Sequence, residues 1–259
     1  MILDELASYA RVRVESAKER ISTDEIRAAA KALPKGTHNF KRALQREGIS
    51  FITEIKKASP SKGIIDDKFD YLGIARDYEK MGADCISCLT EPKWFLGSDE
   101  IFKAVRKTTK MPMLRKDFTV DEYQIYEAKC MGADAVLLIC SILPPKKIEK
   151  YLGICAELGL DALVETHNDE EVKNAVNVGA EIIGVNNRNL KDFSVNTKNA
   201  SVLRNFVPDD RIFVAESGIK TAEDIKILKN AGTDAVLVGE TLMRAKDRAE
   251  VFRLLKGEA

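Results

Sequence analysis

The sequence predicts a closed (β/α)8 barrel, the TIM-barrel class of α/β fold, with a helical extension at its N-terminus. Three observations point there. The chain has 259 residues, and about 250 is the usual size for eight strand–helix units built as one domain. A glycine turn recurs at Gly82-Ala-Asp84, Gly132-Ala-Asp134, Gly159-Leu-Asp161, Gly179-Ala-Glu181 and Gly232-Thr-Asp234. Each turn closes a helical pattern and opens a short apolar run, and helix, glycine, strand, repeated, is the pattern of parallel βα units.

Residues 1–48 precede the first strand. Ile2, Leu3, Leu6 and Val14 are spaced for a helix, and Pro34-Lys-Gly36 breaks it. The stretch is too short for a domain of its own, so 1–259 is one domain, with residues 1–48 expected to cover one end of a barrel formed by 49–259. Strands are predicted at 50–56, 85–90, 111–116, 135–140, 161–165, 182–187, 211–216 and 235–239. These runs are too short and too uniformly apolar for exposed helices and suit strands buried on both faces. Helices are predicted at 71–81, 122–131, 146–158, 170–178 and 222–230. The last opens at Thr221-Ala-Glu-Asp224, a hydroxyl three residues before a carboxylate. An open doubly wound sheet would carry a glycine-rich fingerprint after its first strand, and none stands there.

The 41 basic and 41 acidic residues cancel, which argues against nucleic acid or an anionic membrane as partner, since both need a concentrated positive face. The expected partner is a small phosphorylated molecule, and the expected state a cytoplasmic monomer. The first twenty residues carry charges throughout, unlike a secretory leader. There are five cysteines, and Cys85 and Cys88 have C-x-x-C spacing. Three apart on a strand, they point to opposite faces and cannot converge on one metal ion. They are expected to be small buried hydrophobes in a reducing compartment.

Charges on strands that should be apolar on both faces need a reason. In Phe51-Ile-Thr-Glu-Ile-Lys56, period two puts Glu54 and Lys56 on one face and Phe51, Thr53 and Ile55 on the other. The apolar set should meet the outer helices, so the acid and base should point into the barrel. Lys116, Glu165, Asn186 with Arg188, and Glu216 with Ser217 stand at the ends of four further strands. Polar groups converging from five strands at the C-terminal rim mark the face where such barrels do chemistry. Ser217-Gly218 and Gly239-Glu240 follow the seventh and eighth strands, where main-chain N–H groups commonly cradle a phosphate. The loop Lys57-Ala-Ser-Pro-Ser-Lys-Gly63 is either an anion contact or plain surface. His38 and His167 build neither a triad nor a metal cluster and are read as incidental.

At these residues the chain resembles a known family. Glu54-Ile-Lys-Lys-Ala-Ser-Pro-Ser-Lys-Gly63, Leu114-Arg-Lys-Asp-Phe118, Leu163-Val-Glu165, Asn186-Asn-Arg-Asn-Leu190, Glu216-Ser-Gly-Ile219 and Gly239-Glu-Thr-Leu-Met243 are similar to the signatures of indole-3-glycerol phosphate synthase. Ile2-Leu-Asp-Glu5 and the extension resemble that family too. Departures lie only beside the motifs, at Thr53, Cys88 and Thr166. The resemblance implies cyclisation of 1-(2-carboxyphenylamino)-1-deoxyribulose 5-phosphate to indole-3-glycerol phosphate, with loss of carbon dioxide and water, in tryptophan biosynthesis. No cofactor or metal is implied.

The resemblance also implies the site. Lys116, Glu165, Glu54, Lys56, Asn186 and Ser217 form the candidate catalytic set. Lys116 is the general acid at the ketone oxygen, and Glu54, Lys56 and Glu165 share the remaining acid–base steps in an order the sequence leaves open. Asn186, Ser59 and Arg188 would fix the carboxylate or hydroxyls, and Ser217, Gly218, Gly239 and the backbone of Glu240 the phosphate. Phe95, Phe118 and Leu137 would line the aromatic pocket. Two alternatives stand beside this reading. Phosphoribosylanthranilate isomerase is a barrel that lacks the extension and has a cysteine where this chain has Lys56. A non-catalytic phosphate-binding barrel would have no use for Glu54, Lys116 and Glu165.

Overall fold

The computed structural model describes residues 2–189 and 193–258. Among them eight strands close a barrel: β1 (Ser50–Ile55), β2 (Cys85–Leu89), β3 (Met113–Lys116), β4 (Ala135–Ile139), β5 (Asp161–Thr166), β6 (Ile182–Asn186), β7 (Ile212–Glu216) and β8 (Ala235–Val238). All neighbours pair in parallel, and β8 returns to β1 with Ala235 opposite Ser50. The strands keep within two residues of their predicted limits. β3 starts later than expected, at Met113, because Pro112 has no N–H to give to a ladder.

Helices follow the strands in turn: α4 (Tyr71–Lys80), α5 (Asp99–Thr108), α6 (Tyr123–Met131), α7 (Pro145–Leu158), α8 (Asp169–Asn177), α9 (Lys198–Leu203) and α10 (Ala222–Asn230). Short α11 (Glu240–Met243) and α12 (Arg248–Leu255) come after β8. The Thr221/Asp224 capping box forms as its spacing predicts. The glycine turn has a two-part explanation. Gly132 and Gly159 end their helices at φ 84° and 69°, where a side chain would be strained. The acid after the turn then serves the neighbouring strand. Asp84 accepts the Phe51 N–H at 2.9 Å, Asp134 that of Met113 at 2.9 Å and Asp234 that of Phe213 at 2.7 Å. Each satisfies a buried donor at the start of a strand. The pleat of β1 is as predicted: Phe51 packs on Phe252 of α12 with ring centroids 5.0 Å apart, and Glu54 turns inward.

The extension contains α1 (Ile2–Lys18), α2 (Thr23–Ala32) and α3 (Asn39–Leu44). It does not cover one end only, as the sequence suggested. α3 lies at the N-terminal end of the strands, with Phe40 fully buried and the Lys41 N–H donating to Asp161 at 2.8 Å. α1 runs along the other end, where Arg13 pairs with Asp117 and Tyr9 meets Trp94 edge-on at 5.6 Å. Two helices joined by a turn can span the barrel's height, and the break near Pro34 lets them. Cys85, Cys88 and Cys155 are buried as expected of small apolar groups, Cys140 partly so, whereas Cys130 is exposed on α6. No helix among the described residues is long and apolar enough to cross a membrane.

Candidate active site

A cavity of about 860 Å³ opens at the C-terminal ends of the strands. Every residue singled out above as a catalytic or binding candidate lines it. The strands bring their inward-facing charges to its floor. Lys116 Nζ, at the end of β3, lies 3.4 Å from Glu165 Oε2 of β5 and 3.6 Å from Glu216 Oε2 of β7. Beside them Glu54 and Lys56 of β1 form an ion pair. Glu54, Glu165 and Glu216 are all buried.

Burial and charge act against each other here. Burial disfavours the Lys116 cation, but Glu165, Glu216 and Glu54 outweigh it, and the ammonium is held protonated well beyond its ordinary range. Burial raises Glu54, and the Lys56 and Lys116 charges more than reverse this, keeping it an anion. Glu216 is the exception. Burial and the Glu165 charge push it up to about 8, so near neutral pH it retains its proton. Its Oε1 is buried without a hydrogen-bond partner. The floor thus brings two lysines and three glutamates, one of which holds its proton near neutral pH, within a few ångströms of one another.

The rim around this floor divides by chemistry. Ser217 and Gly218 follow β7 in consecutive left-handed conformations, φ 66° and 83°. Gly239 stands immediately before α11, and a Cβ there would stand 2.5 Å from Glu54 Oε1 and 3.0 Å from Lys56 Nζ. The main chain can therefore approach a ligand, and the floor, more closely than a side chain would allow. The Glu240 carboxylate is not left facing an anion alone: Arg244 lies at 3.2 Å and Lys62 and Arg188 at 3.8 Å. Opposite, Phe95 and Phe118 tilt together with centroids 6.1 Å apart, and Leu137 is buried beside them. Asn186 accepts the Arg188 N–H at 3.0 Å. Ser59 stands in a small antiparallel hairpin, Ala58–Ser59 with Gly63–Ile64, that overhangs the cavity.

The family model for indole-3-glycerol phosphate synthase matches residues 3–255. The chain belongs to the indole-3-glycerol phosphate synthase family. It is 50% identical over 260 residues to the indole-3-glycerol phosphate synthase of Ruminiclostridium cellulolyticum, covering 100% of both chains. It is 51% identical to that of Endomicrobium trichonymphae over 99% of this chain and 100% of the relative. Among solved structures, thiamine phosphate pyrophosphorylase from Pyrococcus furiosus superposes with a TM-score of 0.60 at 19% identity, covering 81% of this chain and 94% of that one. That likeness concerns the fold alone.

The family motifs of this synthase all reach the cavity, except that Leu190 lies outside the described residues. Two of its features were not foreseen. Glu216 was visible only as a strand end, although a carboxylate closing an apolar strand is the signal that marked Glu54 and Glu165. The glycine within β6 is a second signal, since a Cβ on Gly184 would stand 2.4 Å from Glu216 Oε1. His167 is the other, and it corrects the reading of that residue as incidental: its Nε2 lies 3.4 Å from Glu165 Oε1. Arg244 and Lys220 also line the cavity; surface-type cations after helix and loop positions carry no sequence signal of convergence. His38 pairs with Asp161 at the far end of the barrel, 2.8 Å away, remote from this chemistry.

Proposed function

We propose that this cavity closes the pyrrole ring of 1-(2-carboxyphenylamino)-1-deoxyribulose 5-phosphate, with Lys116 as the general acid. As a member of the synthase family the protein is a carboxy-lyase of tryptophan biosynthesis. The observation that carries the assignment of roles is the position of Lys116 Nζ, 3.4 Å from Glu165 and 3.6 Å from Glu216.

The aromatic carbon bearing the carboxylate attacks the ribulose ketone, whose oxygen gains negative charge. A fixed ammonium at that oxygen stabilises the charge as it develops and then supplies the proton. Loss of carbon dioxide restores the aromatic ring. Dehydration next needs an acid for the departing hydroxyl and a base for a ring proton. Glu165, beside Lys116, is placed for the base, and Glu216, holding its proton, for a second acid. Glu54 and Lys56 hold each other and present one cation to the substrate carboxylate, with Asn186, Ser59 and Arg188 about it. The phosphate sits against Ser217, Gly218, Gly239 and the backbone of Glu240, and the aromatic ring against Phe95, Phe118 and Leu137.

The same reading takes the protein as a cytoplasmic monomer, in keeping with its five free cysteines. The test is to add the carboxyphenylamino-deoxyribulose phosphate and follow the indole chromophore and carbon dioxide release. Indole formation that disappears in Lys116→Ala supports the assignment. Product without carbon dioxide would move the isomerase reading forward.

A further inference from the structure

Glu165 is approached from two sides. Oε2 faces Lys116 at 3.4 Å, and Oε1 faces Nε2 of His167 at 3.4 Å, where that ring nitrogen is buried and makes no hydrogen bond to any other group. The imidazole is itself clamped. Its Nδ1 lies 3.1 Å from Glu171 Oε2, which also accepts the His167 backbone N–H at 2.8 Å. Glu171 is fixed in turn, its Oε1 accepting from Ser141 Oγ at 2.7 Å and its N–H donating to Asn168 at 2.9 Å. Neither His167 nor Glu171 lines the cavity that holds Lys116; with Ser141 they line an adjoining one of about 630 Å³ that shares Asn186 and Arg188 with it. His167 therefore bridges a site carboxylate to a rigid outer support without entering the site.

We infer that His167 is a positioning residue for the reaction, its protonated ring paired by charge with Glu165 across 3.4 Å and holding that carboxylate against Lys116. This rests on the reading of Glu165 as an acid–base group. The groups facing the ring are Glu165 from β5, Glu171 from α8, Ser141 from the loop after β4 and, further off, Glu216 from β7. Burial lowers the ring's proton affinity, but these acids outweigh it and raise it above its ordinary value. The protonated ring offers a donor to each flanking carboxylate. Once it deprotonates, Glu171 retains the Nδ1 proton and a bare nitrogen faces Glu165, so the brace is lost.

The chain contains two histidines, which makes the measurement direct. Histidine labelled at Cε1 gives two resonances by NMR, and the His38→Gln variant assigns them. The His167 resonance should titrate above the ordinary value near 6.5, and an alkaline limb in kcat should coincide with it. His167→Ala should lower kcat about tenfold or more with KM within about threefold, as expected of a misplaced acid–base group. His167→Gln, whose amide can donate at any pH, should recover most of kcat and lose that limb. Should His167→Ala fail to fold, Glu171→Gln serves: it should move the His167 titration and the limb to lower pH together. Wild-type kcat in His167→Ala, a His167→Gln limb unchanged from wild type, or a limb that stays put in Glu171→Gln overturns the inference. Glu165→Gln separates the two claims. If it turns over normally, the reading of Glu165 falls; if it is inactive while the His167 variants match wild type, only the brace falls.

Discussion

Arg13, on the first helix of the extension, grips Asp117 with both terminal nitrogens, at 3.1 and 2.6 Å. Asp117 is buried between Lys116 and Phe118 in sequence, and it also accepts from Thr90 Oγ1 at 2.6 Å and the Phe118 N–H at 2.8 Å. Burial alone would raise Asp117; Arg13 reverses this and holds its carboxyl below the usual range. The extension is thereby tied to the strand end that carries the proposed acid. Arg13→Ala leaves a buried carboxylate short of its partner and should cost about 3 kcal/mol in denaturant unfolding. It should also lower kcat/KM, by less than the roughly hundredfold of a 1 Å misplacement. Unchanged stability would show that Arg115, whose guanidinium lies 3.8 Å from Asp117 Oδ2, suffices for it.

Lys116→Ala should reduce kcat by about 10² to 10⁴ at unchanged far-UV circular dichroism, the loss typical of a general acid. The variant also strips Glu54 and Glu216 of a neighbouring cation that holds their proton affinities down. Those affinities should rise, so its stability should fall more steeply than wild type as pH rises above about 4.3, the ordinary glutamate value. Turnover at the wild-type rate would remove Lys116 from the mechanism.

Glu216 carries the clearest pH signature. Its pKa in the folded protein is raised to about 8, against about 4.3 for an exposed glutamate. Between those values the folded chain binds the extra proton, so stability falls as pH rises from about 4.3 to 8 and levels beyond. Glu216→Gln cannot ionise and should be more stable than wild type at pH 9 by roughly 2 kcal/mol or more, with little difference at pH 4. The variant should lose activity, since a neutral amide cannot give a proton to the departing hydroxyl. Parallel unfolding curves at both pH values would show that Glu216 is ionised in the fold.

Gly239→Ala tests the close approach of main chain to floor. The added Cβ would stand 2.5 Å from Glu54 Oε1 and 3.0 Å from Lys56 Nζ, so the ion pair must move. We expect KM to rise, and kcat to fall, with the barrel intact by circular dichroism. Kinetics equal to wild type would mean that the pair shifts without consequence. Gly218→Ala is the harsher neighbour, because its φ of 83° strains any side chain and its Cβ would meet Val195 at 2.5 Å.

Much of this was legible from the chain because barrel strands obey a period of two. Once β1 is recognised, the inward position of Glu54 and Lys56 follows from Phe51 and Ile55 facing out. The same rule set Lys116 and Glu165 at strand ends, and glycines after β7 and β8 marked the rim proposed for the phosphate. What escaped lay across the structure from its partners. Arg13 and Asp117 are 104 residues apart, and nothing in a helix surface announces which strand end it will meet. His167 follows a recognisable motif residue, yet its value comes from Glu171 folding back one helical turn to clamp it.

The sequence by itself determined the barrel, its strand order and the chemical types gathered at its rim, because periodicity, glycine turns and caps are local properties of a few consecutive residues. Tertiary structure alone decided which of those groups are charged. Glu54, Glu165 and Glu216 are the same residue type on the same kind of strand, yet Glu54 keeps its charge beside Lys56 and Lys116 while Glu216 keeps its proton near neutral pH. That difference depends on distances across a closed barrel and on water excluded from its floor, and a Coulomb interaction inside a low-dielectric cavity has no counterpart in residue order.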